Sequence, residues 1–259
     1  MNSQTPLLVV LGASGGLGAS TWAAALARRL SLHLGECVLV DGHVHGGGLD
    51  MTCGTEHVPG LRWPDLARLR GVTSCSRLVS ALPHGEVPVL SAGGRGGDVA
   101  DSVVLDVLGS LRGSVPVVVD VGAAARTALG RRVVAEADVV QVVSGVRARQ
   151  VADTEALLAG LEAGGSGGTG SDGRGGGRGR VGLVTRSRRS ATADVEVLVE
   201  HLGMAHLAHL RDDPRVRRDG ERGEWPGLRG SLRENADRVV LDLMDDLDAR
   251  ERAAAEKVA

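Results

Sequence analysis

The stretch from Leu7 to Leu34 constrains this chain more than any other, because an apolar run, a glycine-rich turn and a helical pattern follow one another without a spacer. Leu7–Leu11 is apolar at every position, which predicts a strand buried on both faces. Gly12, Gly15, Gly16 and Gly18 then make a loop over 12–18, where bare backbone can take torsions closed to side chains. Ala19–Leu34 reads as a helix. Its free N–H groups and the positive end of its dipole would face whatever the loop encloses, which suits a phosphate.

The rest of the chain repeats the alternation. Cys37–Val40 closing on Asp41, Val87–Ser91, Val115–Val119 closing on Asp120, Asp138–Val143, Val181–Val184 and a stretch around His206–Leu210 read as strands. Asp98–Leu111, a run completed by Val133–Ala137, Val146–Leu161, Ala191–Leu202 and Ser231–Lys257 read as helices, and Trp63 and Pro64 open a short one. Such alternation predicts an α/β architecture of three layers with a mainly parallel central sheet. One domain over 1–259 is expected, interrupted at about 163–180 by a glycine-rich stretch that cannot bury a core and reads as a disordered linker. Arg174, Arg178 and Arg180 in that stretch have no aromatic residue among them on which a base could stack, so a solvated linker is the reading.

Composition bears on the loop directly. The chain has no Phe, Tyr or Ile, and Lys257 is its single lysine, so nearly all positive charge is Arg. Loss of the amino acids with AT-rich codons points to a GC-rich bacterial genome of the actinobacterial kind. A net charge of −2 argues for no specific nucleic acid partner. Cys37, Cys53 and Cys75 are too few and too scattered for a disulfide framework. With no basic leader and no apolar run near the roughly 20 residues of a membrane span, a cytoplasmic location is expected.

Two phosphate-loop designs fit the opening stretch. Gly12, Gly16 and Gly18 come close to the dinucleotide-binding turn of short-chain dehydrogenases. Ser14–Thr21 (SGGLGAST) resembles the deviant Walker loop of the ParA/MinD superfamily, KGGxGK[ST][ST], with Ser14 in place of the signature lysine, Ala19 in place of the phosphate-binding lysine, and Ser20 and Thr21 retained. Asp41–Gly54 (DGHVHGGGLDMTCG) is similar to the DxDxxGGGLDxxxG segment of the TadZ/CpaE-like pilus-assembly branch, matching at Gly46, Gly47, Gly48, Leu49 and Asp50, with His43 where that branch has its second Asp. Gly60–Pro83, with its WPDLxxLRG opening, resembles the actinobacterial CpaE-like proteins also called septum-site-determining proteins.

The resemblance implies ATP or ADP with Mg2+, bound by Gly15, Gly16, Leu17, Gly18, Ala19, Ser20 and Thr21 with Asp41 and Asp120 nearby, and Ser20 and Asp120 on the metal. It further implies a homodimer, cell-division or pilus-secretion partners, and recruitment to the septum or pole. Many CpaE-like proteins carry a receiver-like domain before the ATPase, for which 259 residues leave no room. Relatives place an Asn against adenine where this chain has Thr185 and Arg186. Without either lysine nothing in the loop neutralises charge building on the phosphates, a loss on the order of a hundredfold to a thousandfold in rate. The expectation is therefore a spatial regulator with weak or absent hydrolysis and no assignable catalytic residue.

Two alternatives stay open. An active ATPase would need Arg126 or Arg147 to supply the missing charge. A dehydrogenase would need a Tyr acid, which the chain lacks, leaving at most a silent dinucleotide binder. His43 and His45 could start a metal site but have no third ligand at suitable spacing, and Asp50 could simply cap a short helix. Arg215, Arg217 and Arg218 read as a wet charged surface or a partner contact. The last helix carries Asp242, Asp245, Asp246 and Asp248, which an anionic bilayer would repel, so no direct membrane anchor is expected.

Overall fold

A computed structural model describes residues 5–46, 48–94, 97–163, 180–188 and 192–258. Gly47 and residues 164–179 lie outside the described residues, whereas the two ends of the linker expected at about 163–180 fall in regular structure, Ala163 closing a helix and Arg180 opening a strand. Among the described residues seven strands form one sheet: β1 (Leu7–Gly12), β2 (Val38–Asp41), β3 (Val89–Leu90), β4 (Val117–Asp120), β5 (Val139–Gly145), β6 (Arg180–Ser187) and β7 (Ala205–Arg211). Their order is β3-β2-β4-β1-β5-β6-β7, and each neighbouring pair is parallel. Every residue of β2, β4 and β5 is buried. Unbroken Val and Leu runs of this kind demand cover on both faces, which parallel crossovers supply with helices.

The helices are α1 (Ala19–Leu34), α2 (Leu49–Cys53), α3 (Cys75–Ala81), α4 (Asp101–Leu111), α5 (Ala128–Ala135), α6 (Ala148–Ala163), α7 (Thr192–Leu202), α8 (Pro214–Gly220) and α9 (Gly230–Val258). Short 3-10 turns occur at Trp63–Leu66 and Gly122–Arg126. Helix α1 opens at Gly18 and stops at Gly35, both left-handed, the second closing the helix with its N–H on the Ser31 carbonyl. It is buried along Trp22–Ala27 and Leu30, and Trp22 Nε1 donates to Gln141 Oε1 of β5 at 2.7 Å inside the core. Val103, Val104, Val107 and Leu108 form the buried stripe of α4, as their spacing predicts. Helix α9 packs on α1 and β7, and Trp225 ahead of it donates to the Ala24 carbonyl at 2.9 Å.

Strand order decides between the two loop designs. A dinucleotide fold runs 3-2-1-4-5-6, with the second strand beside the first so that its terminal acid meets a ribose. Here β4 stands between β1 and β2, which sets Asp41 and Asp120 side by side in register. The short-chain-dehydrogenase alternative does not have this topology.

Candidate functional site

The sheet ends its central strands β1, β2, β4 and β5 on one edge, and the loop from Gly12 to Gly18 lies over it. Gly16 and Gly18 take positive φ of 75° and 82°, torsions that a side chain resists. A Cβ at Gly15 or Gly16 would meet nothing within 4 Å, so the loop is open toward the space it encloses. No side chain caps α1, and the first turn of a 16-residue helix faces that space.

A cleft of about 920 Å3 occupies it. All nine residues expected to bind the nucleotide, Gly15 through Thr21 with Asp41 and Asp120, line this cleft together. Two buried carboxyls line it, Asp41 and Asp120, and a third, Asp50, is buried close enough to act on Asp41, with exposures of 4%, 5% and 3%. Burial pushes Asp41 up to about 7, the charges of Asp120 and Asp50 adding to it, while the His43 N–H donating to Oδ1 at 2.9 Å opposes them. Burial likewise raises Asp120, against hydrogen bonds from the Ser20 hydroxyl and the Gly122 N–H. Asp120 Oδ1 is nonetheless buried without a hydrogen-bond partner. Such an orphan, beside a hydroxyl and among uncompensated carboxyls, suits a hard divalent cation. No group of three or more His, Cys, Asp or Glu is arranged around a metal among the described residues. The unpartnered Asp120 oxygen beside the Ser20 hydroxyl fits Mg2+ as phosphate sites use it, held by few protein ligands with substrate and water completing the shell.

The supporting residues explain the motifs. Trp63 Nε1 donates to the Asp41 carbonyl at 2.8 Å, so the Trp63–Leu66 turn braces the end of β2. Arg62, buried before it, donates to Ser91 Oγ at 3.1 Å and to the Thr55 carbonyl at 2.6 Å, tying the end of β3 to the segment after α2. Asp50 is not the N-cap of α2, a place held by Gly48; it lies in the first turn and accepts from the Gly48 N–H at 3.4 Å. His43 lines the cleft, whereas His45 Nδ1 pairs with the Gly97 carbonyl at 3.2 Å, so the two do not converge.

The cations differ from expectation. Arg126 lines the cleft; Arg147 does not, and Arg149 does. Ser14, at the signature-lysine position, donates from Oγ to Asp153 Oδ2 of α6 at 2.6 Å. Arg186, at the end of β6, reaches the loop itself: Nη1 donates to the Gly16 carbonyl at 3.3 Å while Nε and Nη2 donate to Asp212 Oδ1 at 2.8 and 2.6 Å. A charged residue closing an apolar strand was the one sign of it in the sequence; Asp153 had none.

A strand–glycine loop–helix unit whose mouth holds two strand-terminal carboxyls, under a parallel sheet with flanking helices, is an α/β fold of the P-loop type. The ParA family ATPase of Chlorobium tepidum TLS shares the fold, with a TM-score of 0.73 and 16% identity over 93% of this chain and 98% of that one. MinD of Aquifex aeolicus gives 0.68 and 17% over 93% and 97%, and the septum site-determining protein MinD of Pyrococcus horikoshii OT3, complexed with Mg-ADP, gives 0.59 and 16% over 95% and 96%. No family model matches the chain. In sequence it is similar to an uncharacterized protein of Mycobacterium tuberculosis, found in strains CDC 1551 and H37Rv, at 33% identity over 240 residues. Those residues are 92% of this chain and 63% of the relative, so the chain spans less than two thirds of the length of the curated relatives it matches.

Proposed function

We propose that this chain is a degenerate P-loop protein of the ParA/MinD type, of the TadZ/CpaE-like branch, that binds ATP or ADP with Mg2+ and organises septum placement or pilus-type secretion while hydrolysing nucleotide slowly or not at all. The observation that carries this reading is Asp120 Oδ1, buried and unpartnered beside Ser20 at the mouth of an uncapped glycine loop. Gly15–Gly18 would present backbone to the phosphates, and the uncapped first turn of α1 would add its N–H groups. Ser20 and Asp120 would hold Mg2+, with Asp41 behind them. Bound Mg2+ supplies positive charge to the phosphates and to the carboxyl floor alike.

Slow hydrolysis follows from what surrounds the reacting end. No lysine lies in the loop, and Arg126 gives an Nη2 bond to the Asp153 carbonyl at 3.5 Å. Where the family has a carboxylate that positions water stands His43, a side chain without that negative charge, while its backbone N–H donates to Asp41. A nucleotide held without turnover acts as a conformational or dimerising ligand, which accords with a homodimer working through division or secretion partners.

Equilibrium binding of ATP, ADP and NAD(H) with Mg2+ to the full chain, followed by phosphate release on the same sample, tests this. The expected outcome is Mg2+-dependent binding of ATP and ADP with phosphate release well below one per minute. Fast turnover would make the chain an active ATPase; preference for NAD(H), or no binding, would overturn the nucleotide assignment.

A further inference from the structure

A second cavity of about 550 Å3 adjoins the loop on the side of β6 and β7. It shares Gly16, Leu17, Gly18, Thr21 and Thr52 with the phosphate cleft, so a ligand anchored in the loop can extend into it. Leu210, Val216, Pro226 and Leu232 give it apolar walls. A flat heteroaromatic ring filling such a space is best held by a second flat group against its face. Aromatic side chains are not available for this. The chain has no Phe or Tyr, and its three Trp residues are buried with their Nε1 groups committed to Gln141, the Asp41 carbonyl and the Ala24 carbonyl.

Three planar guanidiniums line this cavity, Arg186, Arg211 and Arg217, and Arg186 is the one that hydrogen-bonds the glycine loop. Its guanidinium is held by Asp212 on one edge and by the Gly16 carbonyl on another, at 2.8, 2.6 and 3.3 Å. Guanidinium hydrogen bonds lie in the plane of the group, so these contacts fix its orientation and leave its faces as contact surface. The side chain is 32% exposed. Nη1 lies 2.6 Å from where a Cβ on Gly18 would be, so a glycine at that position is what lets the guanidinium settle against the loop.

We propose that Arg186, oriented by Asp212, is the stacking platform for the nucleobase, doing in this aromatic-poor chain what a Phe or Tyr would do elsewhere. The inference rests on the nucleotide reading above. It makes Arg186 a determinant of affinity through the base and not through the phosphates, and it requires the plane of the guanidinium as well as its charge.

Calorimetric titration of Mg·ADP into the full-length wild type and into Arg186→Ala, Arg186→Lys and Arg188→Ala tests it, with a melting curve of each apoprotein as the check on folding. Arg188, 79% exposed and 3.6 Å from Asp212, is the control for net charge. Arg186→Ala is expected to weaken Mg·ADP by about tenfold, Arg186→Lys by nearly as much, and Arg188→Ala by less than about twofold. Rescue by lysine would show a role of charge alone and overturn the inference. So would unchanged affinity in Arg186→Ala. Wild type that binds no Mg·ADP fails the nucleotide reading itself, whereas wild type that binds alongside an unaffected Arg186→Ala fails only the stacking role. Should Arg186→Ala melt below the working temperature, Arg186→Lys decides.

Discussion

At Asp41, burial and charge act in the same direction. The carboxyl sits in register with Asp120 across β2 and β4, with Asp50 close behind, and is pushed from 3.8 up to about 7. Folding therefore favours its protonated form. The stability this group contributes is fully present below its ordinary pKa and is lost as pH rises through about 7. Asp41→Asn keeps the shape without the charge, so it should stabilise the apoprotein by on the order of 2 kcal/mol at pH 8 and change little at pH 4. Chemical denaturation at the two pH values checks this; equal effects at both would mean that Asp41 titrates normally. A site that is destabilised while empty has reason to take up a divalent cation.

Among the elements, β7 shows how register creates chemistry. His206 and His209 are three apart and would face opposite sides of a regular strand. The ladder instead pairs Leu183 with His206 and Val184 with Ala208, so Leu207 is an extra residue and both rings come to the same neighbour. Thr185 Oγ1 lies 3.0 Å from His206 Nε2 and 2.8 Å from His209 Nδ1, and Ser187 Oγ lies 3.1 Å from His209 Nε2. Burial lowers both histidines, with Arg238 adding to it at His206 and the other histidine and Arg211 at His209; Asp242 shares the adjoining hollow. Here the sign is opposite to Asp41. Stability is present above the ordinary 6.5 and is lost as pH falls through the lowered values. Between pH 7 and pH 5 the two histidines thus lower the melting temperature while Asp41 raises it, and in His206→Gln with His209→Gln the histidines' share of acid-side loss is expected to disappear. An undiminished slope in the double variant would place the acid sensitivity elsewhere.

For the molecule as a whole, α9 decides how the chain meets surfaces. Leu232, Ala236, Val239, Val240, Leu243 and Leu247 are buried where it packs on α1 and β7, while Leu241 is exposed. Asp237 of α9 pairs with Arg29 of α1, and Asp246 pairs with Arg180 at the start of β6. What remains outward includes Asp242, Asp245 and Asp248, which anionic headgroups repel. No helix among the described residues is long and apolar enough to cross a membrane. In co-sedimentation with phosphatidylglycerol-containing vesicles at low salt, most of the protein is expected in the supernatant; a pelleted majority would mean that α9 leaves the sheet.

Local chemistry determined a good deal. Apolar runs without alternation marked β1, β2, β4 and β5, four glycines marked a loop of which Gly16 and Gly18 take the positive torsions, and Asp41 and Asp120 at strand ends marked the candidate site, because backbone preference and burial pattern are properties of adjacent residues. Boundaries drifted where tertiary contacts decide them: Val87–Ser91 shrank to the edge strand Val89–Leu90, and Asp98–Leu111 began at Asp101. Strand order lay beyond any local pattern, and it was the insertion of β4 between β1 and β2 that removed the dinucleotide alternative. The same holds for the loop's partners. Ser14 meets Asp153 across 139 residues and Gly16 meets Arg186 across 170, pairings that leave no trace in spacing or periodicity because only the folded sheet brings those strand and helix ends to one edge.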